Sequence, residues 1–125
     1  MFVFRIEDVE HRGPYKTSHS CGRDLCNAHN GSESHPVAWL DVSWRGTYSD
    51  YSDGSWLCGF KDEEDMRIWF KGWIKKLNKA GYFVVKYKVP KKHVRFGSKQ
   101  VIFVKENAQI VEKIPYCFPR KKCVV

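Results

Sequence analysis

The spacing of apolar residues changes period within the chain, and the clearest change lies between Cys58 and Pro90. Met66, Trp69, Phe70, Trp73 and Leu77 recur at helical spacing and make one broad apolar face. Asp62 stands where an N-cap belongs, and Glu63, Glu64 and Asp65 put negative charge where the helix dipole favours it. Gly81 follows the last periodic residue, as a C′ glycine does. The pattern predicts one main helix over about 62–80. A period of two then takes over: Phe83, Val85, Tyr87 and Val89 point one way, and Val84, Lys86 and Lys88 the other, which predicts a strand.

The same alternation opens the chain. Phe2, Phe4 and Ile6 share one face and are expected to fill the core, so Arg5 should project from the opposite face of the sheet, with Glu7 beside it. Residues 8–57 are loop-rich, with Gly13-Pro14 and Asn30-Gly31 as turn signals and one short helical turn expected around Arg23 to Ala28. Trp56, Leu57 and Phe60 return the chain to the interior. After Pro90, Val94 to Phe96 and Lys99 to Lys105 read as strands, Gln100, Ile102 and Val104 facing one way and Val101 and Phe103 the other. Glu106-Asn107 reads as a tight turn that brings Ala108 to Ile114 back as an antiparallel neighbour. The expected architecture is a single α+β domain over 1–125 with a small, mostly antiparallel sheet. It divides into a strand at 1–7, the loop-rich region 8–57, helix plus strands at 58–115, and a basic surface tail at 116–125.

Charge changes this picture. Residues 1–57 hold five Lys/Arg against eight Asp/Glu, and residues 58–125 hold seventeen against six, so a net −3 precedes a net +11. Arg67, Lys71, Lys75 and Lys79 fall at i, i+4, i+8 and i+12, one stripe beside the apolar helix face, and Lys86 and Lys88 extend it along the next strand. These six are the candidate partner-binding residues. The stripe suggests an acidic partner, a protein surface or a nucleic acid, with Tyr82 and Tyr87 interleaved among the lysines. Lysines opposite a hydrophobic face are also ordinary solvated surface, and strand aromatics are ordinary core.

No apolar run approaches bilayer length, and Arg5 and Glu7 interrupt the first apolar stretch where a signal peptide would need continuity. The expectation is a cytoplasmic protein with no membrane partner, whose five cysteines are reduced thiols. Cys21, Cys26, His29 and His35, with His19 nearby, are residue types that zinc uses. They crowd into one loop instead of pairing two knuckles across a spacer, so zinc is not favoured. Tyr48, Asp50, Tyr51 and Asp53 lie too close together on a loop to assign as an acid/base pair. G-x-S-x-G, G-x-x-x-x-G-K-[ST] and H-E-x-x-H are all absent.

Phe4-Arg5-Ile6-Glu7 followed by Gly13-Pro14-Tyr15 resembles the opening of a group of small bacteriophage and prophage proteins, usually Tyr-Arg-Ile-Glu with a later Gly-Pro-Tyr or Gly-Pro-Phe. The resemblance continues at His35-Pro36, at Cys58-Gly59-Phe60-Lys61 and at Gln100-Val101-Ile102-Phe103. That group looks like a divergent branch of the ADP-ribosyltransferase-like fold, in which a first-strand arginine or histidine holds a dinucleotide and a late-strand glutamate stabilises an oxocarbenium-like transition state. The resemblance implies that Arg5 takes the first position and Gln100 the second. NAD or ADP-ribose is the ligand it implies, with no cofactor otherwise favoured. A glutamine can hydrogen-bond a ribose hydroxyl but brings no charge to oppose a developing cation. The leading expectation is therefore a phage-type accessory or counter-defence binding protein, acting through its basic face or through a degenerate nucleotide cleft. The alternative is an active ADP-ribosyltransferase or NAD-cleaving enzyme with Arg5 and Gln100 as its candidate catalytic residues.

Overall fold

The computed structural model describes residues 1–15, Leu25, Ala28, His29 and 55–114. Among them are two antiparallel three-stranded sheets and a helical stretch, an α+β arrangement as the sequence predicts. The first sheet has the order β1-β3-β6, with β1 at Phe2–Glu7, β3 at Phe83–Lys88 and β6 at Gln109–Ile114. The second has the order β2-β5-β4, with β2 at Trp56–Gly59, β4 at Val94–Phe96 and β5 at Val101–Val104. Phe4 and Phe60 join the two sheets by an isolated bridge, each amide donating to the other's carbonyl at 2.8 Å.

Gly59 makes that junction sterically possible. A Cβ there would lie 2.7 Å from the Phe4 carbonyl oxygen and 2.8 Å from a Val3 methyl, closer than real Cβ atoms come. Only glycine lets the β2 backbone close onto β1 at this point.

The helical stretch is divided. Helix α1 runs Glu63–Trp69 and α2 runs Ile74–Lys79, with Gly72 between them at φ +87°. The predicted ends are as expected. The Asp62 carboxylate accepts from the Asp65 amide at 2.8 Å, capping α1. At the far end Gly81, at φ +93°, donates to the Asn78 carbonyl and Tyr82 donates to that of Leu77, the paired bonds of a Schellman cap. The apolar face is also as expected, with Met66, Trp69, Phe70 and Leu77 buried and Trp73 half-buried.

The sheets and helices stack in three layers. Ile6, Val84 and Ile114 pack with Phe60, Met66, Trp69, Phe70 and Leu77 on the helix side. Val3, Val85, Tyr87 and Val89 pack with Val94, Val101 and Phe103 on the second-sheet side. Strand β3 therefore keeps its predicted alternation. Strand β1 departs from expectation, because both of its faces are covered. Val3, Arg5 and Glu7 are buried on the second-sheet side, while Phe2, expected in the core, is 46% exposed at the uncovered end. Two other expectations fail for one reason. Ala108 to Ile114 pairs with β3 and not with β5, and residues 56–59 form a strand that the sequence does not announce. The 3-10 turn Lys105–Asn107 carries the chain from one sheet to the other, and pairing across sheets leaves no local trace in the residue pattern.

Candidate functional site

Strand β1 delivers Arg5 and Glu7 to the layer between the sheets, and the network around Glu7 fixes both. Glu7 is fully buried. Its carboxylate accepts from Arg5 Nε at 2.8 Å and from the Tyr87 hydroxyl at 2.5 Å, and lies 2.9 Å from His11 Nδ1. Burial, and then the bond to Glu7, push the Tyr87 phenol well above its ordinary value, so it remains a donor at neutral pH. Glu7 is thus committed to holding its neighbours and presents no free carboxylate to a ligand.

Arg5 is held at two of its three nitrogens. Besides the Glu7 contact, Nη1 donates to the Cys58 carbonyl at 3.0 Å, a reach made possible by the Gly59 junction. Nη2 has no hydrogen-bond partner among the described residues, and it is not sealed in, since no enclosed side-chain polar atom lacks a partner. A Cβ on Gly13 would lie 3.1 Å from Nη2, so glycine there leaves the guanidinium its room.

The loop that brings Gly13 to this place is organised by Asp8. Its Oδ1 accepts from the Glu10 and Arg12 amides and its Oδ2 from Arg12 Nε, each at 2.9 Å, closing a tight turn with His11 at φ 62°. Burial works against ionisation of Asp8. The bonds from Arg12 and Glu10 outweigh it and hold the carboxyl below its usual value.

Beyond the turn the chain lines a pocket of about 360 Å³ with Arg5, Gly13, Pro14, Tyr15, Cys58, Phe60, Trp69, Phe70 and Gln100 among its walls. Its lining combines polar groups with aromatic rings. Phe60 lies 5.6 Å from Trp69 and 5.9 Å from Phe70, centroid to centroid, and Tyr15 lies 6.2 Å from Phe70, all tilted or edge-on. Trp69 Nε1 donates to the Tyr15 hydroxyl at 2.6 Å, and that hydroxyl is 2.7 Å from His29 Nδ1, which locks the aromatic wall.

Arg5 and Gln100, placed together on resemblance alone, thus line one concave site, and Gln100 is itself buried. The Gly13-Pro14-Tyr15 motif lines it as well. The aromatic residues Phe60, Trp69 and Phe70 were read from the sequence as core alone, and periodicity cannot distinguish a core ring from one at a pocket wall.

The six candidate basic residues lie elsewhere. Arg67, Lys71, Lys75, Lys79 and Lys88 are exposed and Lys86 is half-buried. The break at Gly72 separates Arg67 and Lys71 from Lys75 and Lys79, so one continuous helical stripe is not kept. Tyr82 and Tyr87 are core residues and not surface platforms. Lys86 Nζ instead sits 4.2 Å over the Phe2 ring. Of the metal candidates, Cys21, Cys26 and His35 lie outside the described residues, as do His19, residues 48–53 and the tail; His29 does not line the pocket but is bonded to the Tyr15 hydroxyl and packs against Trp69 and Phe70. No described helix is long and apolar enough to cross a membrane.

A protein-family model described as "Bacteriophage T4 Y00F protein" matches residues 1–117. No curated protein matches the chain. No solved structure matches it either.

Proposed function

The chain belongs to the Bacteriophage T4 Y00F protein family, and from that premise we propose that it is a phage accessory protein that binds a nucleotide in the Arg5 pocket without turning it over. One observation carries this reading. Arg5 is about nine-tenths buried, clamped by Glu7 and the Cys58 carbonyl, and keeps one guanidinium nitrogen free of partners among the described residues in a pocket that aromatic rings also line. A desolvated, oriented guanidinium edge is suited to a phosphate or carboxylate oxygen, and tilted aromatic rings are suited to a flat base. Sequestering a nucleotide in the host cytoplasm is a plausible counter-defence role for such a site.

Chemistry supports binding over catalysis. The position that would need a carboxylate holds the amide of Gln100, and Glu7, on the same strand as Arg5, is engaged by three neighbouring side chains. An oxocarbenium-like centre in the pocket would find no anion among the described lining residues to stabilise it. The test is calorimetric titration with NAD, ADP-ribose and AMP, beside an assay for nicotinamide release. Binding without release, lost on Arg5→Ala in a variant that keeps the native circular dichroism, is the expected result. Release of nicotinamide that depends on Arg5 would establish the enzyme reading instead, and absence of binding by every nucleotide would end the proposal.

A second reading concerns the basic face. Arg67, Lys71, Lys75, Lys79 and Lys88 are exposed cations, and an acidic host protein or nucleic acid is the partner their charge favours. This surface and the pocket can serve the same protein.

A further inference from the structure

The pocket's own inventory limits what it can hold. Among the described residues lining it, Arg5 is the one cation, and it has one unengaged nitrogen. The same lining carries one aromatic wall of Tyr15, Phe60, Trp69 and Phe70, bound into a single cluster by ring contacts. The volume of about 360 Å³ is at the small end of the roughly 300–1,000 Å³ spanned by small-molecule sites. A dinucleotide carries two bases and two phosphates. The described residues of this site offer one place for a ring and one for an anion.

We infer that the ligand is a mononucleotide, one ring and one phosphate, and that a dinucleotide binds through one of its halves only. This rests on the nucleotide reading above and adds the size class to it. The phosphate takes the free edge of Arg5, whose position is set by Glu7 on one side and the Cys58 carbonyl on the other. The base lies against the aromatic wall. The second half of a dinucleotide extends past the described lining residues and meets no further cation among them.

The experiment compares AMP, nicotinamide mononucleotide, adenosine, nicotinamide riboside, inorganic phosphate and NAD by titration calorimetry on the full chain. The expected result is that at least one mononucleotide binds within about threefold of NAD, because the shared half carries the affinity. Removing the phosphate to leave the nucleoside should weaken binding by about tenfold or more, since it removes the charge-assisted bond to the free guanidinium edge. A conservative Trp69→Phe variant should weaken the mononucleotide and leave inorganic phosphate unchanged. NAD binding a hundredfold more tightly than both mononucleotides would overturn the size inference while leaving nucleotide binding intact. No binding by any probe would overturn both. The two failures are therefore distinguishable in one series.

Discussion

The protein carries its positive charge in two settings, and they differ in every respect except sign. Arg5 is buried between layers, held at two nitrogens, and open at the third toward a pocket. The helix and strand lysines lie at the surface, exposed or, for Lys86, half-buried, and two of them sit over a ring: Lys76 lies 4.8 Å over Trp73, and Lys86 4.2 Å over Phe2. A buried guanidinium with fixed geometry selects a ligand by shape, whereas mobile surface ammonium groups attract whatever is acidic and lose that attraction as salt rises. Net charge therefore says little about the site. Seventeen of the basic residues lie in 58–125, yet the cation with a defined place in the pocket comes from the acidic first part.

The largest expected effect breaks the buried side of this comparison. Arg5→Met should cost about 3–5 kcal/mol of folding stability, because Glu7 is left as a buried charge without its cation. Denaturant unfolding would measure it, and adding Glu7→Gln should recover a substantial part. If the single variant costs under ~1 kcal/mol, the pair is not the buried clamp described above. A smaller effect sharpens the comparison. Gly13→Ala places a methyl 3.1 Å from Arg5 Nη2, which shifts the guanidinium by a few tenths of an ångström. Nucleotide affinity should fall several-fold while the urea midpoint barely moves. The smallest effect on stability belongs to the surface. Reversing Arg67, Lys71 and Lys75 to glutamate should change stability by no more than about 0.5 kcal/mol per site. The same triple variant should leave nucleotide binding in the pocket intact and abolish salt-sensitive retention on an acidic resin.

Local physics was legible in the residues, and nonlocal pairing was not. The Asp62 cap, the Gly81 turn and the alternation of β3 each depend on neighbours within a few positions, and each is present as the sequence implies. Gly72 was the available signal for the helix break, since a glycine inside a helical pattern weakens it. The periodic apolar face ran through that position and masked it. Strand β1 misled because alternation identifies two faces without revealing that both will be covered. Its second face carries Arg5 and Glu7, residue types that read as surface until their partners Tyr87 and the Cys58 carbonyl are known. The pairing of Arg5 with Gln100 in one pocket was legible only through resemblance, since 95 positions of sequence separate them.

The bridge between Phe4 and Phe60 gives the pocket a mechanical character. Arg5 stands next to one end of that bridge, on the first sheet. Cys58 lies two residues from the other end, on the second sheet, and Gln100 immediately precedes β5, the strand paired with β2. The pocket's polar wall is thus assembled from two plates riveted beside it, with the rivet seated where glycine has removed any side chain. A small rotation of one plate against the other alters the spacing between guanidinium and amide more than it alters either plate internally. A side chain at Gly59 would therefore press the two plates apart beside the very groups they carry.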